Sequence, residues 1–375
     1  MNGALPKPLT IAVTGMNAKP DNPGPGLAVA RCLRLHYGDQ IRIIGLGYDV
    51  LDPGLYLHEI CDASYLLPYP SAGEQQLMER MAFVQQQESI DVLIPCLDAE
   101  LLSFTRLHHE FEQLGIAMLI PDVSQLRDRN KDRLGELAHS AGIRYPETKN
   151  ITSADFFYRC HDDGWKYPMV VKGIFYDATI VRNADEGAAA FRHVAASWGY
   201  PVLVQRYVEG HEVNLTAVGD GKGNLLGSVM MRKQAVTDKG KAWSCVTIED
   251  KTLLDDACKL VRELQWAGPL EVEMLKEKDG QYLLIEINPR FPAWIYLAAE
   301  ADSNLPVALV QLITGQDVTL GTAKTGMMMI RYAQETVIDL ETFESMSMYG
   351  GYAPTYDHTV PNHDNATPKN DGEES

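Results

Sequence analysis

The sequence predicts an α/β and α+β chain, in which an N-terminal parallel α/β domain precedes a larger part built on antiparallel strands. Three observations carry this expectation. Short β-branched runs at 9–15, 41–49 and 90–96 alternate with helical patterns, as in a parallel sheet. On both sides of the turn DGKGN, apolar and polar residues then alternate with period two. A second alternating pair, 268–290, is joined at Asp279-Gly280, a favoured hairpin dipeptide.

Taken in order, LTIAVTG reads as a strand, the PGPG segment Pro23–Gly26 as a turn, and LAVARCLRLHYG as a helix. The turn lacks GxGxxG spacing and is not a dinucleotide site. A strand at 41–49, a helix at 74–88 and a strand at 90–96 follow, and GIAMLIP, 115–121, is expected to be the last strand of the domain. PCLDAE, 95–100, lies at the carboxyl end of a parallel strand, where open α/β sheets bind ligands. Asp98 or Glu100 is therefore a candidate to meet an amine, unless both only cap the following helix. Asp128–Gly142 has a helical pattern stopped by Gly142 and Pro146. A strand at 167–173, a helix at 185–198 and a strand at 200–210 come next. The helix Thr252–Gln265 shows one apolar stripe, Leu253, Ala257, Leu260 and Leu264.

A length of 375 residues suits two or three domains at roughly 150 residues each. With 45% hydrophobic and 22% charged residues the chain is an ordinary globular one. Its 33 Lys and Arg against 51 Asp and Glu give a net charge of −18, which excludes electrostatic binding of nucleic acid or an anionic membrane. An anionic ligand would need a local basic pocket. The six cysteines contain no CxxC pair and are expected to be reduced and structural. The opening residues lack the basic-then-apolar build of a signal peptide, and no apolar run nears the roughly 20 residues of a membrane span, so a cytoplasmic location is expected. The polar tail 357–375 has too little apolar surface to order itself.

Chemistry concentrates in GPLEVEMLKEKDGQYLLIEINPR, 268–290. If Asp279-Gly280 forms a two-residue turn, Lys278 pairs with Gln281, Glu273 faces Glu286, and Glu271 faces Asn288. Val272, Met274, Leu283, Ile285 and Ile287 then fall on the opposite, core-facing side. Two carboxylates facing across a ladder repel, and burying them unpaired costs several kcal/mol. A hard divalent cation compensates, and Glu273, Glu286 and Asn288 match Mg²⁺ (or Mn²⁺) in kind and number; a solvated face of harmless acids is the alternative.

IEINPR after a Glu-bearing strand resembles the metal-binding signature of the ATP-grasp superfamily, in the branch with carbamoyl phosphate synthetase and biotin carboxylase. In the same order, NKDRLGELAHSAGIRYPET resembles that family's Lys-helix-Gly-Ile-Pro segment, YPMVVKG its second Lys strand, and LVQRYVEGHE its adenine hinge with a ribose-binding Glu. The resemblance covers about residues 9 to 315. It implies a pre-ATP-grasp α/β domain at 1–122, a linker helix and small lobe at 123–200, a large lobe with the metal-binding hairpin at 201–320, and a C-terminal extension at 321–356. It also implies that Lys131 and Lys172 hold the phosphates of ATP, that backbone groups of Gln205, Arg206 and Val208 meet the adenine, and that Glu212 accepts from the ribose. Arg290 would steady a transferred phosphoryl group, with Lys172 beside it in catalysis.

The loop after Lys172, KGIFYDATIV, departs from the glycine-rich lid of the superfamily, and Phe175, Tyr176 and Asp177 there would face substrate or packed neighbours. RKQAVTDKGKAW, 232–243, brings four cations that would reach over the phosphates or lie in solvent. The implied function is an ATP-dependent ligase joining a small-molecule carboxylate, or a peptide, to an amine through an acyl phosphate. The alternatives are phosphorylation of bicarbonate and a nucleotide-binding module without turnover. No nucleic-acid or membrane partner is expected, and a homodimer is compatible with the sequence.

Overall fold

The computed structural model describes residues 8–173 and 178–352. The expectations for Phe175, Tyr176, Asp177 and the tail 357–375 lie outside the described residues.

The first sheet forms as the alternation predicts. β1 (Leu9–Thr14), β2 (Ile41–Gly47), β3 (Ala63–Leu66) and β4 (Val92–Ile94) run parallel in the order β3-β2-β1-β4. The β-branched runs are buried on both faces, Ile11, Val13 and Ile43 on one side and Ala12, Ile44 and Leu46 on the other. The helices Gly26–Tyr37 and Glu74–Glu88 are where the periodicity places them. Gly26 opens the first of these under tight constraint: a Cβ there would lie 1.8 Å from the Thr14 carbonyl oxygen.

Two expectations need correction here. GIAMLIP is not a strand: Ala117 makes a single parallel bridge to Val92, and the rest of the segment leaves the sheet at Pro121. β3, not expected, is only four residues long, too short for its alternation to register.

The remainder is α+β. β5 (Thr148–Ile151), β6 (Met169–Lys172), β7 (Ala178–Val181) and β8 (Val202–Arg206) form a four-stranded antiparallel sheet, β5-β8-β6-β7. The helix Ala184–Trp198 covers it, burying Phe191 and Val194 against Phe157, Trp165, Val171 and Val204. β9 (Gly210–Asp220), β10 (Leu225–Val236), β11 (Ala242–Ile248), β12 (Ala267–Glu277), β13 (Tyr282–Asn288) and β14 (Met328–Ile330) form a six-stranded sheet, β13-β12-β9-β10-β11-β14. The helix Lys251–Leu264 packs its predicted stripe on that sheet, with Leu253, Ala257, Leu260 and Leu264 all in one core with Val213, Leu215 and Val272. The chain finally returns to the first sheet: the helix Leu340–Tyr349 buries Met346, and β15 (Gly351–Tyr352) pairs antiparallel with β3.

The expected helix 128–142 is shorter, Leu134–Ser140, because residues 129–133 form irregular turns, with Arg133 N–H donating to Asn130 O at 2.9 Å. Among the described residues all six cysteines are free and no helix is long and apolar enough to cross a membrane.

Candidate active site

The β12–β13 hairpin sets the site. Glu271 pairs with Asn288 and Glu273 with Glu286, as the side-chain pattern requires. The tip, however, is a three-residue loop: Glu277 N–H donates to Gln281 O at 2.9 Å, and Gly280 takes φ +85°. A bulge at Ile285 absorbs the difference, since Met274 pairs with Leu284 and Leu275 with Leu283. Beyond the bulge the alternation inverts. Leu284 and Tyr282, rather than the expected Leu283 and Ile285, join Val272, Met274 and Ile287 in the core.

Every acid on the hairpin's polar face has a cation. Lys131 Nζ lies 3.2 Å from Glu286 Oε1. Lys233, at the end of β10, bonds Glu212 and stands 3.7 Å from Glu273 Oε2. Arg290 bridges Asp98 Oδ2 at 3.2 Å and Glu271 Oε2 at 3.5 Å. Asn288 donates through Nδ2 to Glu273 at 2.8 Å and Glu271 at 3.1 Å, which leaves Oδ1 as its acceptor. Burial works against ionisation of Glu273, but Lys233 outweighs it and holds this carboxyl down at about 2. Burial, then the neighbouring Glu273, push Glu212 up to about 7. Sharing one cation between two buried acids explains the opposite directions.

Lys172 ends β6 with its Nζ 2.7 Å from Gln205 Oε1, and Gln205 Nε2 donates in turn to Thr148 Oγ1 at 2.9 Å. Burial, then the charge of Lys131, press the Lys172 ammonium down to about 8, while Glu286, Glu273 and Glu212 oppose the shift. The structure therefore brings Lys131, Lys172, Glu212, Glu273, Glu286 and Asn288 into one cleft between the two antiparallel sheets. Arg290 joins them through Glu271. Arg206 does not: its guanidinium pairs with Glu147 and lies 4.7 Å over the Trp165 ring, and its N–H donates to Glu147 O. After β8 the backbone of Tyr207–Glu209 leaves the ladder, with Val208 half-buried beside the hairpin tip.

A divalent metal fits the oxygen donors of Glu273, Glu286 and Asn288 in chemistry. Among the described residues, though, no three His, Cys, Asp or Glu side chains are grouped to hold a metal. The acids are instead neutralised by Lys131 and Lys233, which a metal would have to displace.

Next to this cleft is a cavity of about 190 Å³ between the first sheet and the large antiparallel sheet. The PGPG turn, Asp98, Asn214, Lys233, Lys241, Glu271, Glu273, Arg290 and Arg331 contribute to its walls. Four cations face three acids there, a basic locality in a chain of charge −18. Glu100 is not part of it. Fully buried, it accepts from Thr14 Oγ1, Tyr48 OH and the Cys96 and Leu97 N–H groups, the last at 2.9 Å, and so caps the helix Asp98–Arg106. Of the two acids in PCLDAE, only Asp98 faces the cavity. The expected loop 232–243 is largely strand: Lys233 lies in β10, Lys241 in the turn before β11, and the turn is tied to the segment before PGPG by Thr237 Oγ1 donating to Asp21 O at 2.9 Å.

Sequence reasoning missed three residues of this cavity. Glu271 is 4% exposed yet ionically central, accepting from Asn214 Nδ2 at 2.8 Å and Trp294 Nε1 at 2.7 Å besides Asn288 and Arg290. Its position opposite Asn288 was the available signal. Asn214 and Arg331 carried none, being a lone amide in a strand and a lone Arg after an apolar run.

Residues 200–336 match the family described as ATP-grasp in the biosynthetic pathway with Ter operon. Among solved structures, an L-amino acid ligase from Bacillus licheniformis is 16% identical, with a TM-score of 0.60 over 82% of this chain and 75% of that one. Biotin carboxylase from Campylobacter jejuni is 14% identical, with a TM-score of 0.64 over 83% of this chain and 72% of that one. N5-carboxyaminoimidazole synthetase from Staphylococcus aureus, in complex with ADP, is 16% identical, with a TM-score of 0.62 over 84% of this chain and 80% of that one. The parallel first sheet and the two antiparallel sheets around a Lys- and Glu-lined cleft give this chain the fold of these structures, and the family match, residues 200–336, falls on the larger antiparallel sheet.

Proposed function

We propose that this chain is an ATP-dependent carboxylate–amine ligase working through an acyl phosphate. The observation that carries the reading is the meeting, in one cleft, of two lysines, Lys131 and Lys172, with an oxygen-donor set, Glu273, Glu286 and Asn288, beside a cavity that holds Arg290. Similar structures in complex with ADP or an ATP analogue support a nucleotide in that cleft. In this reading 123–200 is the small lobe and 201–320 the large lobe. Lys131 and Lys172 hold the phosphates, backbone groups at Gln205 and Val208 meet the adenine, and Glu212 receives the ribose hydroxyls. Mg²⁺ or Mn²⁺ held by Glu273, Glu286 and Asn288 would neutralise phosphate charge.

The chemistry requires activation first, because a carboxylate is a poor electrophile. One carboxylate oxygen attacks the terminal phosphorus and ADP departs with the bonding electron pair. The amine, having lost a proton, then attacks the acyl carbon, and phosphate leaves with that oxygen. Lys172 and Arg290 would stabilise the charge that grows on the transferring group, and the two flanking sheets would limit water.

Carboxylate labelled with ¹⁸O tests the sequence of steps. The label should appear in released phosphate together with ADP and an amide. AMP formation, unlabelled phosphate beside a verified amide, or ADP release that needs bicarbonate alone would reject the reading.

A further inference from the structure

The cavity beside the cleft carries hydrogen-bonding capacity that the protein does not use. Asn214, 1% exposed at the cavity floor, donates Nδ2 to Glu271, which identifies its other atom as the oxygen; that Oδ1 is buried and receives no hydrogen bond. Asp98 Oδ2 accepts from Arg290 Nε, and its Oδ1 is likewise buried without a donor among the described residues. Two residues that line one cavity thus each keep an acceptor unfilled among the described residues, which costs roughly 1–3 kcal/mol apiece until a donor arrives. Burial alone would raise Asp98, yet Arg290, with Arg129 and Lys241, holds its carboxyl below the usual range, so the acceptor there is an anion.

The cavity also holds surplus cations. Arg290 and Lys233 are taken by acids, but Lys241 and Arg331 form no ion pair among the described residues. Among the described residues the Arg331 guanidinium donates to the carbonyls of Ala242 at 3.4 Å and Ala293 at 3.1 Å, and burial presses its pKa down. A ligand that satisfied these residues would bring N–H donors with positive charge for Asp98 and Asn214 and a carboxylate for Arg331 and Lys241.

We propose that this cavity binds the amine substrate as a zwitterion, a free α-amino acid whose ammonium meets Asp98 and Asn214 and whose carboxylate meets Arg331 and Lys241. The word substrate rests on the ligase reading; the recognition of a zwitterion does not.

Isothermal titration of the full chain, saturated with Mg²⁺ and the non-hydrolysable analogue AMP-PNP, with each of the twenty standard L-amino acids tests this. At least one should bind, and both its des-amino acid and its decarboxylated amine should bind at least tenfold more weakly. Asp98→Asn should weaken the amino acid at least tenfold and leave its des-amino acid within twofold. Lys241→Met, in an outer loop, should weaken the amino acid and the des-amino acid but not the amine. It keeps the test open should Asp98→Asn lose AMP-PNP binding and so prove misfolded. No amino acid binding, equal affinity for either truncated analogue, or an unchanged amino-acid Kd in a variant that still binds AMP-PNP would overturn the proposal. An amino acid that binds but never stimulates ADP release would sink the ligase reading and leave this one standing. ADP release and amide formation driven only by an amine lacking a carboxylate would do the reverse.

Discussion

The depressed Lys172 ammonium makes nucleotide binding a proton-linked event. In the free chain this group titrates at about 8 rather than 10.5, because burial and Lys131 disfavour its charge. A phosphate at Nζ restores the ammonium, so above pH 8 a nucleotide must bring a proton in with it. At pH 9 only about a tenth of the free chain carries that proton, against about nine-tenths at pH 7, which lowers ATP affinity about tenfold, or about 1.4 kcal/mol. Adenosine, lacking phosphates, should show no such loss. Calorimetry at pH 9 in buffers of different ionisation enthalpy should count nearly one proton taken up per ATP. Lys172→Arg, whose charge does not titrate in this range, should remove both the uptake and the pH dependence.

Stability separates this effect from alkaline damage. The folded pKa of Lys172 lies below the unfolded value, so between about pH 8 and 10.5 the unfolded chain binds more protons, and this group alone makes stability rise with pH. Affinity falls across the window in which its contribution to stability increases. ATP affinity that stays flat from pH 7 to 9.5, or an equal drop for adenosine, would refute the placement of Lys172 on the phosphates.

Three further outcomes are expected. Glu286→Ala should abolish substrate-dependent ADP release at any ATP concentration and shift the melting temperature by less than about 2 °C, since the side chain is 26% exposed and faces the cleft; wild-type turnover would remove it from the site. Lys233→Met leaves Glu212 and Glu273 without their shared cation and should cost about 3 kcal/mol in denaturant melts, with millimolar Mg²⁺ restoring more stability than in the parent chain. Gly26→Ala drives a Cβ to 1.8 Å from the Thr14 carbonyl and should cost about 3 kcal/mol or more, whereas Gly280→Ala, with φ +85° in open space, should cost about 1–2 kcal/mol.

Much of the architecture was legible because it rests on local periodicity. The apolar stripe of the helix Lys251–Leu264 and the alternation of β9 and β10 follow directly from residue order. The facing of Glu273 and Glu286 was also predictable, although the turn argument behind it was wrong in detail: the bulge at Ile285 compensated the three-residue tip. What failed were features decided by tertiary context. GIAMLIP is apolar because it packs Ile116, Met118 and Ile120 into the core below the first sheet, not because it pairs as a strand. The pairing of Lys233 with Glu212 and Glu273, and the place of Arg331 in the cavity, join residues with no shared spacing. The ordered Lys, Glu and Asn series marked the cleft, while the adjoining cavity, assembled from loops and strand residues far apart in the sequence, left no local signature.

The cleft's charges are arranged so that ligand binding exchanges partners rather than creating buried charge. Lys131 rests on Glu286, Lys233 on Glu212 and Glu273, and Arg290 on Asp98 and Glu271. Burying a lone ion costs several kcal/mol, so these pairings lower the cost of keeping the glutamates charged while the cleft is empty. When phosphates take the lysines, the released glutamates require a new cation, and when a metal takes the glutamates, the released lysines require new anions. Each ligand then removes the penalty that the other would incur, which predicts reciprocal cooperativity: metal should tighten ATP, and ATP should tighten metal, by the same factor. Glu286→Gln should shrink that factor by removing one acid from the exchange. A factor of one in the parent chain, measured as ATP affinity with and without Mn²⁺ and as Mn²⁺ affinity with and without ATP and corrected for Mn²⁺–ATP association in solution, would show that the paired charges of the cleft are structural and that the ligands bind elsewhere.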